Sequence, residues 1–351
     1  MEGCGSGYGR KTGGTESMVD HGGPEPWMPY RGERVVLYRE EHALAGDSEG
    51  EGSVEELLGN GIINLDKPAG PTSHQVVSWV RDMVEVTRTG HAGTLDPGVS
   101  GVLPVALGSA TKLLKILLIG GKEYVGLLEL DRKTPEKDLR EAMNEFIGDI
   151  YQIPPLQAAV KRELRVRRIY DLELLEFDGT SALFRTNVES GTYIRNLCVD
   201  IGLLLGRKGV MADLRRTRSG QFRGDASVPL QDLKDAVVFW REDGDDRHLR
   251  KLIRPVEHMA DHLPVMVMRG GAVDAVCHGA PLAHPGLLEY DSGIERGSVC
   301  ALMTSRGELV AVAMAALSGK ELAKRKIGIV ATPLRVVMEA DRYPRMWKRK
   351  L

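Results

Sequence analysis

Between residues 61 and 223, strand-like and helix-like patterns follow one another without a repeating strand–helix–strand unit, and this irregular order constrains the fold more than any other feature of the chain. An apolar strand at 61–65 meets a Pro/Gly turn, and Thr72 or Ser73 then caps a helix that sets Val76, Val77, Val80, Met83 and Val84 on one face. A glycine-rich loop (90–101) leads into the strand VLPVALG, and Ser109 is expected to cap a helix ending at Leu118. A strand at 123–130 follows, and Thr134-Pro135-Glu136 opens a helix with Leu139, Met143 and Phe146 on its inner face. After a Pro-Pro break comes IPPLQAAVKRELRVRR, read as a protruding basic loop. Two strands, 169–177 and 182–188, turn at Asp178-Gly179, and GTYIRNLCVDIGLLLG forms a helix with Tyr193, Leu197, Ile201 and Leu204 inward. Hairpins mixed with helices predict an α+β domain with a mixed, largely antiparallel sheet.

The flanks differ in character. Eight of the first 23 residues are glycine, which predicts a flexible tail over 1–32, and ERVVLYRE begins an extension (33–60) expected to pack on a later domain. An acidic segment with Glu242, Asp243, Asp245 and Asp246 reads as a linker near the end of a catalytic domain spanning 61–255. The remainder, 256–351, alternates short strands with glycine turns and predicts a small β-barrel followed by a basic terminus. The longest apolar run, near Leu113, is interrupted by Lys115 and is too short for a membrane span of ~20 residues. Four scattered cysteines without a CxxC pair fit a reducing, cytoplasmic setting and no zinc site.

The formal net charge is −2, which does not by itself suggest a nucleic-acid protein. Its distribution does. Residues 1–60 carry 5 basic against 12 acidic side chains, whereas 151–223 carry 13 against 8 and the last ten residues carry 5 against none. Local charge, not the total, decides what binds phosphate.

No P-loop, HExxH, GxSxG or paired Cys/His set occurs, so nucleotide hydrolysis and metalloprotease chemistry have no support. What remains is TGHAGTLDPGVSGVLP, in which Gly90, Gly93, Gly98 and Gly101 surround one carboxylate, Asp96. Glycines allow close backbone approach to a ligand, and a carboxylate on a Pro turn beside His91 has the character of a positioned nucleophile. Arg195 at a helix start and Tyr124 at a strand start complete a candidate triad. Taken singly, these three residues equally describe a turn, a surface arginine and a core tyrosine.

The blocks GIINLDKPAGPTSHQVVSWV, GHAGTLDPGVSGVLPVALGSATKLL, KEYVGLLEL, PPLQAAVKRELRVRRIYDLELLE, GTYIRNLCVDIG and ADLRRTRSGQF resolve that ambiguity. Together, in this order and spacing, they resemble the dyskerin-type pseudouridine synthases, over about residues 33–347. The segment from about 263 to 340 resembles a PUA domain, and a terminus without a long Lys-rich tail looks archaeal. The resemblance implies a pseudouridine synthase fold plus a PUA-type barrel, and isomerisation of uridine to pseudouridine in RNA without cofactor or metal.

By the same resemblance Asp96 would be a buried catalytic carboxylate held ionised by Arg195, and Tyr124 would stack on the flipped base. His91 would occupy space near the vacated stack or hydrogen-bond within the loop. Lys67 and Pro68 would brace the tyrosine, and Leu214 would contact the base. Lys161, Arg165 and Arg168 would lie on a thumb loop closing on substrate, with Arg215, Arg216 and Arg218 where phosphates pass. Box H/ACA guide RNA, substrate RNA and small accessory ribonucleoprotein proteins are the implied partners, with rRNA and the T-loop of tRNA as targets. A stand-alone tRNA enzyme and a non-catalytic RNA-binding assembly protein are the competing readings.

Overall fold

The computed structural model describes residues 32–38, 53–155 and 161–346. The expected flexible tail up to residue 31, the extension between 39 and 52, the tip of the basic segment at 156–160 and the terminal basic residues from 347 lie outside the described residues.

An eleven-stranded sheet forms the catalytic body. Its central path runs β2 (Gly61–Lys67), β4 (Ser100–Leu107), β9 (Gly209–Ser219), β5 (Lys122–Leu130), β8 (Ser181–Val188), β7 (Arg165–Phe177) and β6 (Gly148–Gln152), with β3 (Thr89–His91) on β4. Neighbours on this path are antiparallel except β4 and β9, which run parallel with Ser100 opposite Arg215 and Gly101 opposite Arg216. The fold is therefore α+β with a mixed, largely antiparallel sheet, as the order of elements leads one to expect.

Local chemistry explains most helices. In α2 (Ser73–Val84) the cap is Thr72, whose hydroxyl accepts from the Gln75 amide while Gln75 returns a bond to the Thr72 amide. Its buried face includes Val76, Val77, Val80 and Val84, and packs with α1 (Val54–Asn60) and α5 (Leu230–Asp243) on the β2–β4 half of the sheet. On the other half, α3 (Glu136–Asn144) and α4 (Ile194–Leu204) close a second core around Leu139, Phe184, Leu197 and Ile201.

Four expectations are corrected. Residues Gly108–Leu118 form a 3-10 helix with Leu107 at its start, and Ser109 bonds the Gly59 carbonyl and Asn60 side chain instead of capping. The acidic segment is no linker: it ends α5 and begins α6 (Arg247–Leu252), with Asp245 and Asp246 paired to Arg247 and Arg250. Leu204 is 55% exposed because α4 ends as it turns outward. Finally, Arg165–Arg168 belong to strand β7 and pair with β6, so the basic segment continues a β-hairpin.

The C-terminal unit is a curled seven-stranded sheet with its own core, which includes Met266, Leu287, Tyr290, Leu302, Val310 and Val330. β1 (Arg34–Val36) adds to its edge, pairing with Leu287–Asp291, and Arg34 is bonded to Asp291 at 2.8 Å. The extension thus divides: β1 joins the barrel, whereas α1 packs in the catalytic core. A shared apolar cluster of Ile62, Val102, Met259, Leu263, Ala301 and Val312 fastens the two units together. Among the described residues no helix is long and apolar enough to cross a membrane.

Candidate active site

The loop between β3 and β4 carries Asp96, and its shape is set from outside by the segment that follows β2. Lys67, with no exposed surface, directs its ammonium at the carbonyls of Val99 (2.8 Å), Pro68 (2.9 Å) and Pro97 (3.1 Å). The Gly70 amide also donates to the Pro97 carbonyl. Ser73 exchanges two bonds with Leu95, accepting from its amide at 2.9 Å and donating to its carbonyl at 3.0 Å. Three residues of DKPAGPTS therefore grip the backbone on both sides of Asp96. Burial lowers the pKa of Lys67, an effect partly offset by the nearby Asp96 charge.

Two glycines let the loop approach the sheet. Gly101 has φ +105°, and a Cβ there would sit 2.1 Å from the Arg216 carbonyl oxygen. Gly93 has φ +73°, with Arg216 Nη1 only 3.3 Å from where its Cβ would lie.

Arg195, the second residue of α4, reaches across to Asp96, Nη2 to Oδ2 2.6 Å. The pair is open to solvent, with side chains 44% and 53% exposed. Asp96 is thus not the buried carboxylate expected, because the Pro97-Gly98 turn lifts it to the loop surface. Tyr124 on β5 is buried in a cluster that includes Leu95, Val99, Ile194 and Leu214, so the apolar flanks of Asp96 and the helix bearing Arg195 share one core with the tyrosine. Among the sequence candidates, Asp96, Arg195, Tyr124, Lys67 and Leu214 are thereby gathered, with Pro68 exposed at the rim.

Lys67 braces the Asp96 loop, whereas the sequence reading had it support the tyrosine. Arg216 is 1% exposed and cannot line a phosphate path: its Nε donates to the Val102 carbonyl and its Nη2 has no partner. Arg215 is at the surface, bonded to Asp66 at 2.8 Å, and Arg218 Nε bonds the Gly220 carbonyl. His91 Nδ1 makes no hydrogen bond, and its ring packs edge-on against His74 at 5.1 Å. Burial, followed by the His74 and Arg216 charges, lowers its pKa to about 4, so the ring is neutral at pH 7.

The basic hairpin lies at the edge of the sheet. Lys161 is exposed and paired with Glu163, Arg165 bonds the Lys161 carbonyl, and Arg168 meets Asp149 at 3.3 Å with more than half of its side chain exposed. Its root is fixed to α4: Gln152 bonds both the amide and the carbonyl of Tyr193, and Asn196 bonds the Ile153 carbonyl.

Two residues escaped the sequence reading. Ser73 is offered by the sequence as an alternative cap, but the capping box with Gln75 gives that role to Thr72, and Ser73 bonds Leu95 instead. Lys122, two residues before Tyr124, is 3% exposed, and its ammonium donates to the Leu117 and Gly120 carbonyls. Desolvation and the Arg216 charge lower its pKa to about 7. Its burial was legible in strand alternation alone, since it falls on the face of Tyr124 and Leu128.

Comparison with known proteins gives the family and the fold. Residues 81–194 match the TruB family pseudouridylate synthase N-terminal domain, 195–261 the tRNA pseudouridylate synthase B C-terminal domain, 264–337 a PUA domain and 44–77 a DKCLD domain. A relative from Methanosarcina barkeri named as tRNA pseudouridine synthase B is 47% identical over 331 residues, 93% of this chain and 98% of its own. One from Pyrococcus horikoshii, named likewise, is 46% identical over 91% of this chain and 97% of its own. Among solved structures, a chain of an H/ACA RNP bound to a substrate RNA containing 2′-deoxyuridine matches with TM-score 0.82 and 43% identity over 90% of this chain and 98% of its own. A chain of a Cbf5-Nop10-Gar1 complex matches with TM-score 0.84 and 44% identity over 91% and 98%. Likeness of this degree along nearly the whole length, on a fold that sets the Asp96 loop against Arg195 and Tyr124, places the chain in the TruB family of pseudouridylate synthases.

Proposed function

We propose that the chain is the catalytic subunit of a box H/ACA ribonucleoprotein and converts guide-selected uridines in RNA to pseudouridine, with Asp96 as the reacting carboxylate. The observation that carries this reading is the Arg195–Asp96 ion pair on a loop gripped by Lys67 and Ser73 and backed by Tyr124. The setting provides a fixed, solvent-accessible carboxylate beside an apolar wall, which suits an extruded nucleotide. Extruding the target costs a few kcal/mol, and stacking on Tyr124 would offset part of that.

In the reaction the C1′–N1 bond breaks, the uracil turns, and C5 joins C1′. Asp96 acts either as nucleophile at C1′ or as the base that removes the C2′ proton. Arg195 orients the carboxylate, Leu214 packs against the base, and neutral His91 fills space beside the loop. One bond replaces another without redox change, so the reading requires no cofactor.

The hairpin with Lys161, Arg165 and Arg168 would close on substrate RNA, Arg215 would meet its backbone, and the barrel would hold guide RNA. Similarity to chains in H/ACA RNP and Cbf5-Nop10-Gar1 structures supports guide RNA and small accessory proteins as partners. A cytoplasmic setting belongs to the same reading, since Cys198, Cys277 and Cys300 are free thiols.

The relatives named as tRNA pseudouridine synthase B favour a second substrate, tRNA modified without a guide. Tritium release from RNA labelled at uracil C5, with and without guide, tests both. Guide-dependent release that disappears in Asp96→Ala is expected. Release persisting in that variant overturns the assignment of Asp96, and release from tRNA alone favours the stand-alone reading.

A further inference from the structure

Among the described residues of the catalytic body, the buried charged side chains are Lys67, Lys122 and Arg216, all cations. None is in a salt bridge. Lys67 and Lys122 donate to backbone carbonyls, Arg216 Nε does the same, and Arg216 Nη2 has no partner. Burying charge without a counter-ion is unfavourable, and natural folds retain such strain chiefly where function needs it.

The three converge on the site. A Cβ on Gly93 would lie 3.3 Å from Arg216 Nη1 and 3.8 Å from Lys122 Cε, so both cations underlie the loop that carries Asp96. Arg216 stands opposite Tyr124 on the neighbouring strand, and Lys122 lies two residues before Tyr124 on the same face of β5. Asp96 offsets part of the Lys67 charge but already pairs with Arg195, and the charge acting on Lys122 is that of Arg216, another cation.

We propose that Arg216, Lys122 and Lys67 form an electropositive floor that stabilises the negative charge acquired by the uracil ring when its bond to ribose breaks. The inference rests on the uridine isomerisation argued above. When C1′–N1 breaks, its electron pair stays on uracil N1 and spreads to O2 and O4. C1′ is satisfied either by an Asp96 oxygen, forming a C1′–O bond, or by the C2′–H pair as Asp96 takes that proton and a glycal forms. On both routes the uracil is an anion until C5 attacks C1′, the C5 proton leaves and N1 is protonated. The Asp96 oxygen leaves C1′ as C5 bonds to it, or on the glycal route Asp96 returns its proton to C2′ in that same step, so that C1′ never exceeds four bonds. Fixed cations that are themselves buried away from water stabilise such charge without having to reorganise.

Single-turnover conversion of guide-bound RNA carrying uridine or 5-fluorouridine at the target tests the floor, using the assembled complex at about pH 6, where Lys122 is protonated. Product is measured as C-glycoside after nuclease digestion. Fluorine makes uracil a better leaving anion and so less dependent on the floor; because C5 then carries fluorine and no proton to lose, water adds at C6 of the rearranged ring and the product counted is this hydrated C-glycoside. Lys122→Met is expected to slow uridine about 100-fold and 5-fluorouridine about 10-fold, with RNA affinity unchanged; Lys122→Gln repeats the measurement in a side chain that keeps a donor for the carbonyls. Equal slowing of both substrates in both variants would mean that the lysine merely braces the loop, and overturns the proposal. A wild-type complex inactive on both substrates overturns the activity itself, a distinguishable result.

Discussion

Ser73 and Leu95 exchange two hydrogen bonds through a single hydroxyl, joining the first turn of α2 to the residue before Asp96. Both residues are buried. Ser73→Ala leaves the Leu95 amide and carbonyl unpaired, at an expected cost of about 1–3 kcal/mol. Because the loop is then free to shift, turnover should fall by about 10- to 100-fold while RNA affinity is retained. Urea unfolding and single-turnover rates measure the two effects; unchanged turnover would remove Ser73 from the support of Asp96.

Arg195→Met separates catalysis from stability. The ion pair with Asp96 is half-exposed, so its loss should change unfolding free energy by less than about 1 kcal/mol. The rate should drop by about 100-fold or more, since the carboxylate loses the group that orients it. A variant that loses stability and activity in proportion would show a structural role instead.

Gly101→Ala and Gly98→Ala should differ sharply. At Gly101 a side chain meets the Arg216 carbonyl on the parallel neighbour strand, at a φ that L-residues avoid, and about 3 kcal/mol or more of stability should be lost. At Gly98 a Cβ would have nothing within 4 Å, so the change should stay within about 0.5 kcal/mol. Chemical denaturation of the two variants decides it.

The neutral, half-buried His91 predicts acid sensitivity. Its pKa of about 4 lies below the ordinary histidine value of 6.5, so between those values the unfolded chain binds more protons than the folded one. Stability is therefore lost as pH falls through that window, and His91→Gln should flatten this part of the profile. Urea midpoints between about pH 7 and 5 in the two proteins give the comparison; identical slopes would mean that His91 is already protonated in the native fold.

Charge reversal at Arg165 and Arg168 should reduce turnover more than guide affinity. Both lie on the hairpin whose root Gln152 and Asn196 fasten to the start of α4, next to Arg195. Salt titration should show a weaker dependence of substrate binding, since each phosphate contact contributes a slope of about 0.7–0.9. Equal loss of guide affinity and turnover would contradict a thumb.

Much of this was legible in the chain. Valines at helical spacing behind Thr72, alternation through KEYVGLLEL and the Asp178-Gly179 turn each depend on neighbours a few residues away, and the structure reproduces those elements. The misread stretches were those where distant contacts decide. Ser109 is drawn to Gly59 and Asn60 and does not cap, and the acidic run is divided between the end of α5 and the short connection to α6 because Leu233, Ala236, Val237 and Leu249 have a core to fill.

The sequence alone determined the class of fold and the family, and singled out Asp96 as the candidate carboxylate, because these follow from local periodicity and from contiguous motifs. Only the tertiary structure decided how exposed Asp96 is, that Lys67 holds its loop, and that Arg216 lies beneath the site while Arg215 beside it reaches the surface. Adjacent strand residues face opposite sides of a sheet, and which side is the interior depends on what packs there. For Arg215 and Arg216 that is settled by the β4–β9 pairing and by Gly93 and Gly101 closing over one of them, contacts more than a hundred residues distant in sequence.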